Sequence, residues 1–228
     1  MKKQLVPCLC LMVLVACNKS SGGGNPVTPT PPSSNRSPVV NSMSIAPTFG
    51  IAFLTTFNFS ASASDPDGDA VTYNWNIAGN SVTGQAGQLV FSTGGNGAAT
   101  VTVTDGKGGS ATDTRTFTVG TLTGTWDVVA PFCDARPFTL TLTQSGGIAT
   151  GSFLFPNQWC NVVAGTPGVT DPAEPGLITP AGKVDIRLKV GSFLDFYLRG
   201  DMATTGRTIT GGMFNSGFTG QPFTATKR

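Results

Sequence analysis

Asp65-Pro66-Asp67-Gly68-Asp69-Ala70-Val71-Thr72-Tyr73-Asn74-Trp75 reads as a tight acidic turn that feeds a strand. Pro66 presets φ and Gly68 reaches positive φ at low cost, so the chain reverses here. Beyond it Val71, Tyr73, Trp75 and Ile77 share one face, with Thr72, Asn74 and Asn76 on the other. That period of two marks a half-buried strand. The same alternation runs outward on both sides. Thr55 to Ser62 places Phe57, Phe59 and Ala61 together. Leu89 and Phe91, then Ala99, Val101 and Val103, then Phe117 and Val119 continue it. Asp105-Gly106-Lys107-Gly108-Gly109 is a strong hairpin turn. Short alternating strands between turn signals, from Val39 to Val119, predict an antiparallel β-sandwich.

Residues 122–228 alternate as well. Trp126 and Val128 form one inward set, and Phe138, Leu140 and Leu142 the next. Gln144-Ser145-Gly146-Gly147 turns into Ile148–Phe155. Val184, Ile186, Leu188 and Val190 follow a loop, and Phe193–Met202, Thr208–Phe214 and Gln221–Thr226 complete the series. About eight consecutive, hairpin-linked strands suit an up-and-down barrel, which encloses either a packed core or one small ligand. The predicted fold class is therefore all-β: a sandwich over 38–120, then a small antiparallel barrel of about eight strands over 121–228.

Two resemblances sharpen this. The Asp65–Trp75 stretch resembles the DPDGD-x-x-x-Y-x-W segment of PKD-type and related bacterial Ig-like modules. Val101-Thr102-Val103-Thr104-Asp105-Gly106-Lys107-Gly108-Gly109-Ser110-Ala111 resembles their penultimate strand and final hairpin. The usual continuation Asp-Phe-Gly-Asp-Gly is replaced here by Asn76-Ile77-Ala78-Gly79-Asn80. In the second half, Gly124-Thr125-Trp126 resembles the G-x-W opening of lipocalin-like and avidin-like barrels. Phe223-Thr224-Ala225-Thr226-Lys227-Arg228 resembles their closing strand. That resemblance carries over no ligand-binding residues.

The N-terminus reads as an export signal over 1–16. Met1-Lys2-Lys3 is a cationic start, and the apolar run from Leu5 to Ala16 is well short of the roughly 20 residues that span a bilayer. Leu14-Val15-Ala16-Cys17 resembles a bacterial lipobox, which implies diacylglycerol on the Cys17 sulfur and a membrane-tethered mature chain. One acyl chain anchors marginally, whereas two or three hold firmly. Asn18 rather than aspartate after the cysteine points to the outer membrane of the cell envelope. Residues 17–37, rich in Gly, Ser and Pro, read as a lipid-anchored linker. Cys8 and Cys10 leave with the signal and Cys17 is the lipid site. Cys133 and Cys160 remain, and in an oxidising compartment they are expected to pair. Such a bridge contributes roughly 3 kcal/mol on the chain-entropy model. Two free thiols are the alternative.

Charge excludes one class of partner. Lys2 and Lys3 leave with the signal, so 12 basic side chains face 12 acidic ones, and only 11% of residues are charged. No basic stripe exists to neutralise phosphates, so no nucleic acid is expected. Zero histidines exclude Ser-His-Asp and Cys-His sites, and no glycine-rich phosphate loop opens a helix. The chain is read as not an enzyme.

Candidate sites are few. Asp65, Asp67 and Asp69 are candidate calcium ligands, since alternate carboxylates on a tight turn supply several of the six to eight oxygens calcium takes. The alternative is a polar turn with its backbone set by Pro66 and Gly68. Asp171 and Glu174 fall in a Pro/Gly-rich stretch, 164–180, that reads as a long exposed loop and a candidate recognition element. Trp126, Trp159, Phe153, Phe155, Phe193, Phe196, Tyr197 and Phe214 either line a ligand pocket or form the barrel core. Trp159, beside the turn Pro156-Asn157-Gln158, is expected to be the most exposed. The leading functional reading is a lipid-anchored, non-catalytic binding or adhesion module, the sandwich a spacer and the barrel a head for an extracellular protein or glycan. Carriage of a small hydrophobic ligand inside the barrel is the alternative, and an envelope enzyme the third.

Overall fold

The computed structural model describes residues 34–192 and 194–228. The expected signal peptide, Cys17, the expected linker up to residue 33 and Phe193 lie outside the described residues. No helix among the described residues is long and apolar enough to cross a membrane.

The first part is the sandwich. Its strands are β1 (Val39–Ala46), β2 (Phe49–Ile51), β3 (Thr56–Ser64), β4 (Thr72–Ile77), β5 (Asn80–Thr83), β6 (Ala86–Val90), β7 (Gly95–Thr104) and β8 (Ser110–Gly120). One sheet runs β1-β3-β6 and the other β2-β8-β7-β4-β5, with β2 parallel to β8. The alternating residues face each other across the core as expected: Phe57 and Phe59 from one sheet, Trp75, Val101 and Phe117 from the other. Trp75 packs 4.8 Å from the Phe59 ring, and its Nε1 donates to the Gly84 carbonyl. Tyr73 is half-buried, and its hydroxyl accepts from the Ala63 N–H, tying the two sheets together.

The second part is a closed barrel. Its strands are β9 (Gly124–Ala130), β10 (Asp134–Ser145), β11 (Ile148–Phe155), β12 (Thr166–Thr170), β13 (Gly176–Ile178), β14 (Lys183–Val190), β15 (Leu194–Met202), β16 (Thr208–Asn215) and β17 (Phe218–Lys227). Every pairing is antiparallel, and β17 returns to β9 to close the wall. β12 and β13 both lie between β11 and β14, so they form one interrupted strand and the wall has eight. Inward residues of β14, Val184, Ile186, Leu188 and Val190, alternate with Lys183, Asp185, Arg187 and Lys189 outside. The stretch 164–180 thus contributes two short wall strands, Thr166–Thr170 and Gly176–Ile178, with an exposed turn between them, which corrects the expectation of one long loop.

The two parts share a seam. Ile51, at the end of β2, is fully buried in the barrel's core cluster. Gln144, near the end of β10, is buried where the parts meet. Its Nε2 donates to the Ala52 carbonyl at 3.0 Å and to the Gly146 carbonyl at 2.9 Å, while its Oε1 accepts from Leu122 N–H at 2.8 Å and from the Thr121 hydroxyl at 3.1 Å. A buried amide with every bond made fixes one docking geometry, because any rearrangement leaves polar groups unpaired. A Cβ on Gly120 would stand 2.6 Å from the Met202 sulfur, so a larger residue here would push the Met202 side chain aside.

Candidate functional site

The barrel interior is filled. Trp126 is fully buried, and its Nε1 donates to the Leu122 carbonyl at 2.8 Å. The void beside it, lined by Leu140, Ile186, Leu198 and Phe223 among others, measures about 10 Å³, roughly the room one water needs. At the end away from the sandwich, Trp159 is only 2% exposed. It stacks on Phe155 at 4.9 Å and on Phe196 at 5.8 Å, with Phe138 edge-on at 5.4 Å. Cys133 and Cys160 are bridged, which holds the segment carrying Trp159 against the mouth. The expectation of an exposed Trp159 is corrected: the chain after the turn folds back, Trp159 bridging to Val162, and the indole drops inward. Neither Trp126 nor Trp159 is on a surface. A filled barrel also corrects the carrier reading, since ligand sites run to hundreds of Å³. Phe153, Phe155 and Phe196 are core, whereas Tyr197 and Phe214 stand on the outer wall.

The outer wall of β13–β16 carries a charged network. Asp171, expected on a solvated loop, is buried where the interrupted strand jogs between β12 and β13. Its Oδ1 accepts from the Ala173 N–H at 3.0 Å, and its Oδ2 lies 3.0 Å from Arg187 and 3.3 Å from Lys189. The Ala173 hydrogen bond is the main reason its carboxyl stays below the usual range, with Lys189 and Arg187 adding to it. Glu174, at the surface, pairs with Arg187 at 2.7 Å and accepts from the Tyr197 hydroxyl at 2.8 Å. That hydrogen bond, followed by burial, pushes the Tyr197 phenol up. Asp195 completes the set around Arg187, whose guanidinium is held protonated mainly by it. Asp171 and Glu174 are thus brought together, but as partners of one arginine.

Next to this network lies a groove that the sequence does not reveal. Arg199 donates from Nε to Asp185 Oδ2 at 3.0 Å and lies over the Tyr197 ring at 4.5 Å and the Phe214 ring at 5.6 Å. Two adjoining depressions, of about 470 and 260 Å³, share Leu177, Asp185 and Arg199. Gly212 is the cross-strand partner of Arg199, and its missing side chain opens the floor. The residue types were visible in the sequence, but the register that unites them was not.

The acidic turn sits at the other end of the sandwich from the barrel, since β8 runs between the two poles. Oxygens of Asp65, Asp67 and Asp69 lie within 4.8 Å of one another. Asp65 Oδ1 accepts from the backbone N–H groups of Asp67 and Asp69. Asp67 pairs with Arg36 at 2.8 Å and Asp69 with Lys107 at 2.6 Å. The Arg36 hydrogen bond holds the Asp67 carboxyl below the usual range, and Asp69 raises the Lys107 ammonium. Asn35 donates to Asp105 at 2.7 Å in the neighbouring hairpin. Residues 35 and 36, expected in the linker, are therefore pinned to the sandwich. Asp65 Oδ2 and Asp69 Oδ2 are buried without a partner. The carboxylates present are thus compatible with a cation, although Arg36 and Lys107 already offset two of the three charges.

Fold and site together define an Ig-like sandwich fused to a filled, closed eight-stranded barrel. Residues 35–119 match the PKD domain family. The PKD1 domain of Vibrio anguillarum Epp is 28% identical, with 38% of this chain and 96% of that one covered and a TM-score of 0.31. The PKD1 domain of the Vibrio cholerae metalloprotease PrtV is also 28% identical, over 37% and 98%, with a TM-score of 0.31. A structure described as a promiscuous carbohydrate-binding module of the β-sandwich superfamily is 17% identical, over 78% and 61%, with a TM-score of 0.38. No curated protein matches the chain.

Proposed function

We propose that this chain is a non-catalytic binding protein of the cell envelope. Lipid on Cys17 tethers it to the outer membrane, the PKD domain is its spacer, and the barrel is its head. One observation carries the reading: a barrel with a void of about 10 Å³ has no interior site to offer, while its outer wall bears a groove and a network of paired charges. Binding therefore belongs to the outside, where an envelope glycan or protein is the class of partner. Geometry supports the spacer role too. The chain enters at the acidic pole, and β8, 11 residues long, spans about 35 Å to the barrel at the rise of an extended strand. The acidic turn serves to pin that entry, with Arg36 and Lys107 supplying the positive charge calcium would bring.

The anchor is tested by Cys17→Ser. The variant is expected in the soluble fraction after export, with the parent in the membrane fraction. Unchanged membrane association of the variant would contradict a lipid tether.

A further inference from the structure

We infer that the groove beside Arg199 binds a neutral polysaccharide along the outer wall of the barrel. This deepens the reading of the barrel as binding head and rests on it. Three observations converge.

The first is the pairing of groups. Arg199 is held flat by two rings and by Asp185, which preorganises a planar fork of donors. Its terminal nitrogens have no hydrogen-bond partner among the described residues. Asp185 Oδ1, beside it, has no partner either; the atom itself is covered, but the side chain is 42% exposed, so a small turn of the carboxylate presents it to a ligand. A ligand that satisfies both must accept from Arg199 and donate to Asp185 within a few ångströms. A hydroxyl group does both. A carboxylate or phosphate only accepts, so it would leave Asp185 Oδ1 unmatched and repelled.

The second is charge. Lys183, Arg187 and Lys189, the other basic side chains of this wall, are each paired with a carboxylate: Asp201, Asp171 and Asp171 again. No spare cation is left to draw in a polyanion.

The third is shape. The two depressions meet at Leu177, Asp185 and Arg199, forming one trough over the sheet rather than a pit. Leu177 is half exposed, Phe214 stands along the trough, and Gly212 leaves backbone bare between Phe214 and Arg199. A pyranose ring has an apolar C–H face and a rim of hydroxyls. It fits an apolar strip flanked by a donor and an acceptor, and a trough of this kind takes several sugar units in a row.

The test is affinity electrophoresis of the full chain in mild detergent through gels holding xylan, galactomannan or β-glucan, with alginate and polygalacturonate as acidic counterparts. Crosslinking through a photoreactive residue, at Thr102 on the sandwich or Thr219 on the barrel, reports which part is engaged. At least one neutral polysaccharide is expected to retard the chain. Arg199→Ala and Asp185→Asn should each weaken that retardation about tenfold while the melting temperature holds. Thr141→Ala, on another part of the wall, should change nothing. Retardation undiminished in both groove variants, or given only by the acidic polymers, would overturn the inference. So would crosslinks from Thr219 to envelope protein with no polysaccharide bound, although the barrel would remain the head. Adducts from Thr102 alone would overturn the head reading itself.

Discussion

Replacing Trp159 with alanine is expected to destabilise the protein by about 3–5 kcal/mol, the usual cost of truncating a buried tryptophan. The indole contacts Phe138, Phe155, Phe196 and Phe218, and none of these can move to fill its place without leaving the wall of the barrel. At roughly 2–4 °C per kcal/mol for a protein of this size, the melting temperature should fall by about 10 °C. The disulfide remains in Trp159→Ala, so the loss reports packing alone. A change under about 0.5 kcal/mol, typical of a surface site, would return Trp159 to the exposed position that Pro156-Asn157-Gln158 suggests.

Gln144→Ala should weaken the seam between the sandwich and the barrel by about 3 kcal/mol. It strips the Leu122 N–H and the Ala52 carbonyl of their partners, and a buried unpaired group costs roughly 1–3 kcal/mol. Ile51 lies in the barrel core, so the parent should unfold in one cooperative step in which both parts are lost together. In the variant, the denaturation midpoint should fall and the transition should broaden or split. Trp75 reports the sandwich, Trp126 and Trp159 the barrel. An unchanged midpoint with two transitions already present in the parent would show that the parts are independent.

Much of this was legible in the sequence, for a physical reason. A strand with one buried face writes its orientation into every second residue, so Phe57, Trp75 and Val101 declared the sandwich and Val184 to Val190 the barrel wall. Cys133 and Cys160 declared their bridge by elimination. What stayed hidden depends on the return path of the chain. Trp159 follows a turn, and only the fold-back at Val162 brings its ring inside. Asp171 lies among prolines and glycines that read as an exposed loop, yet the sheet continues through them. Gln144 reads as a turn residue until two domains close over it. Asp185 and Arg199 are unremarkable charges until the β14–β15 register sets them opposite one another, with Phe214 one strand further on.

We propose that recognition happens on the outer wall of the filled barrel, not in its interior. Native mass spectrometry of the chain purified from the cells that make it separates the two. Apart from the lipid proposed for Cys17, the expected mass is that of the bare polypeptide, and it should not change on incubation with fatty acids, retinoids or other small apolar molecules. A stoichiometric adduct of that kind, retained by Cys17→Ser and lost on Trp126→Ala, would show an interior site and contradict the account.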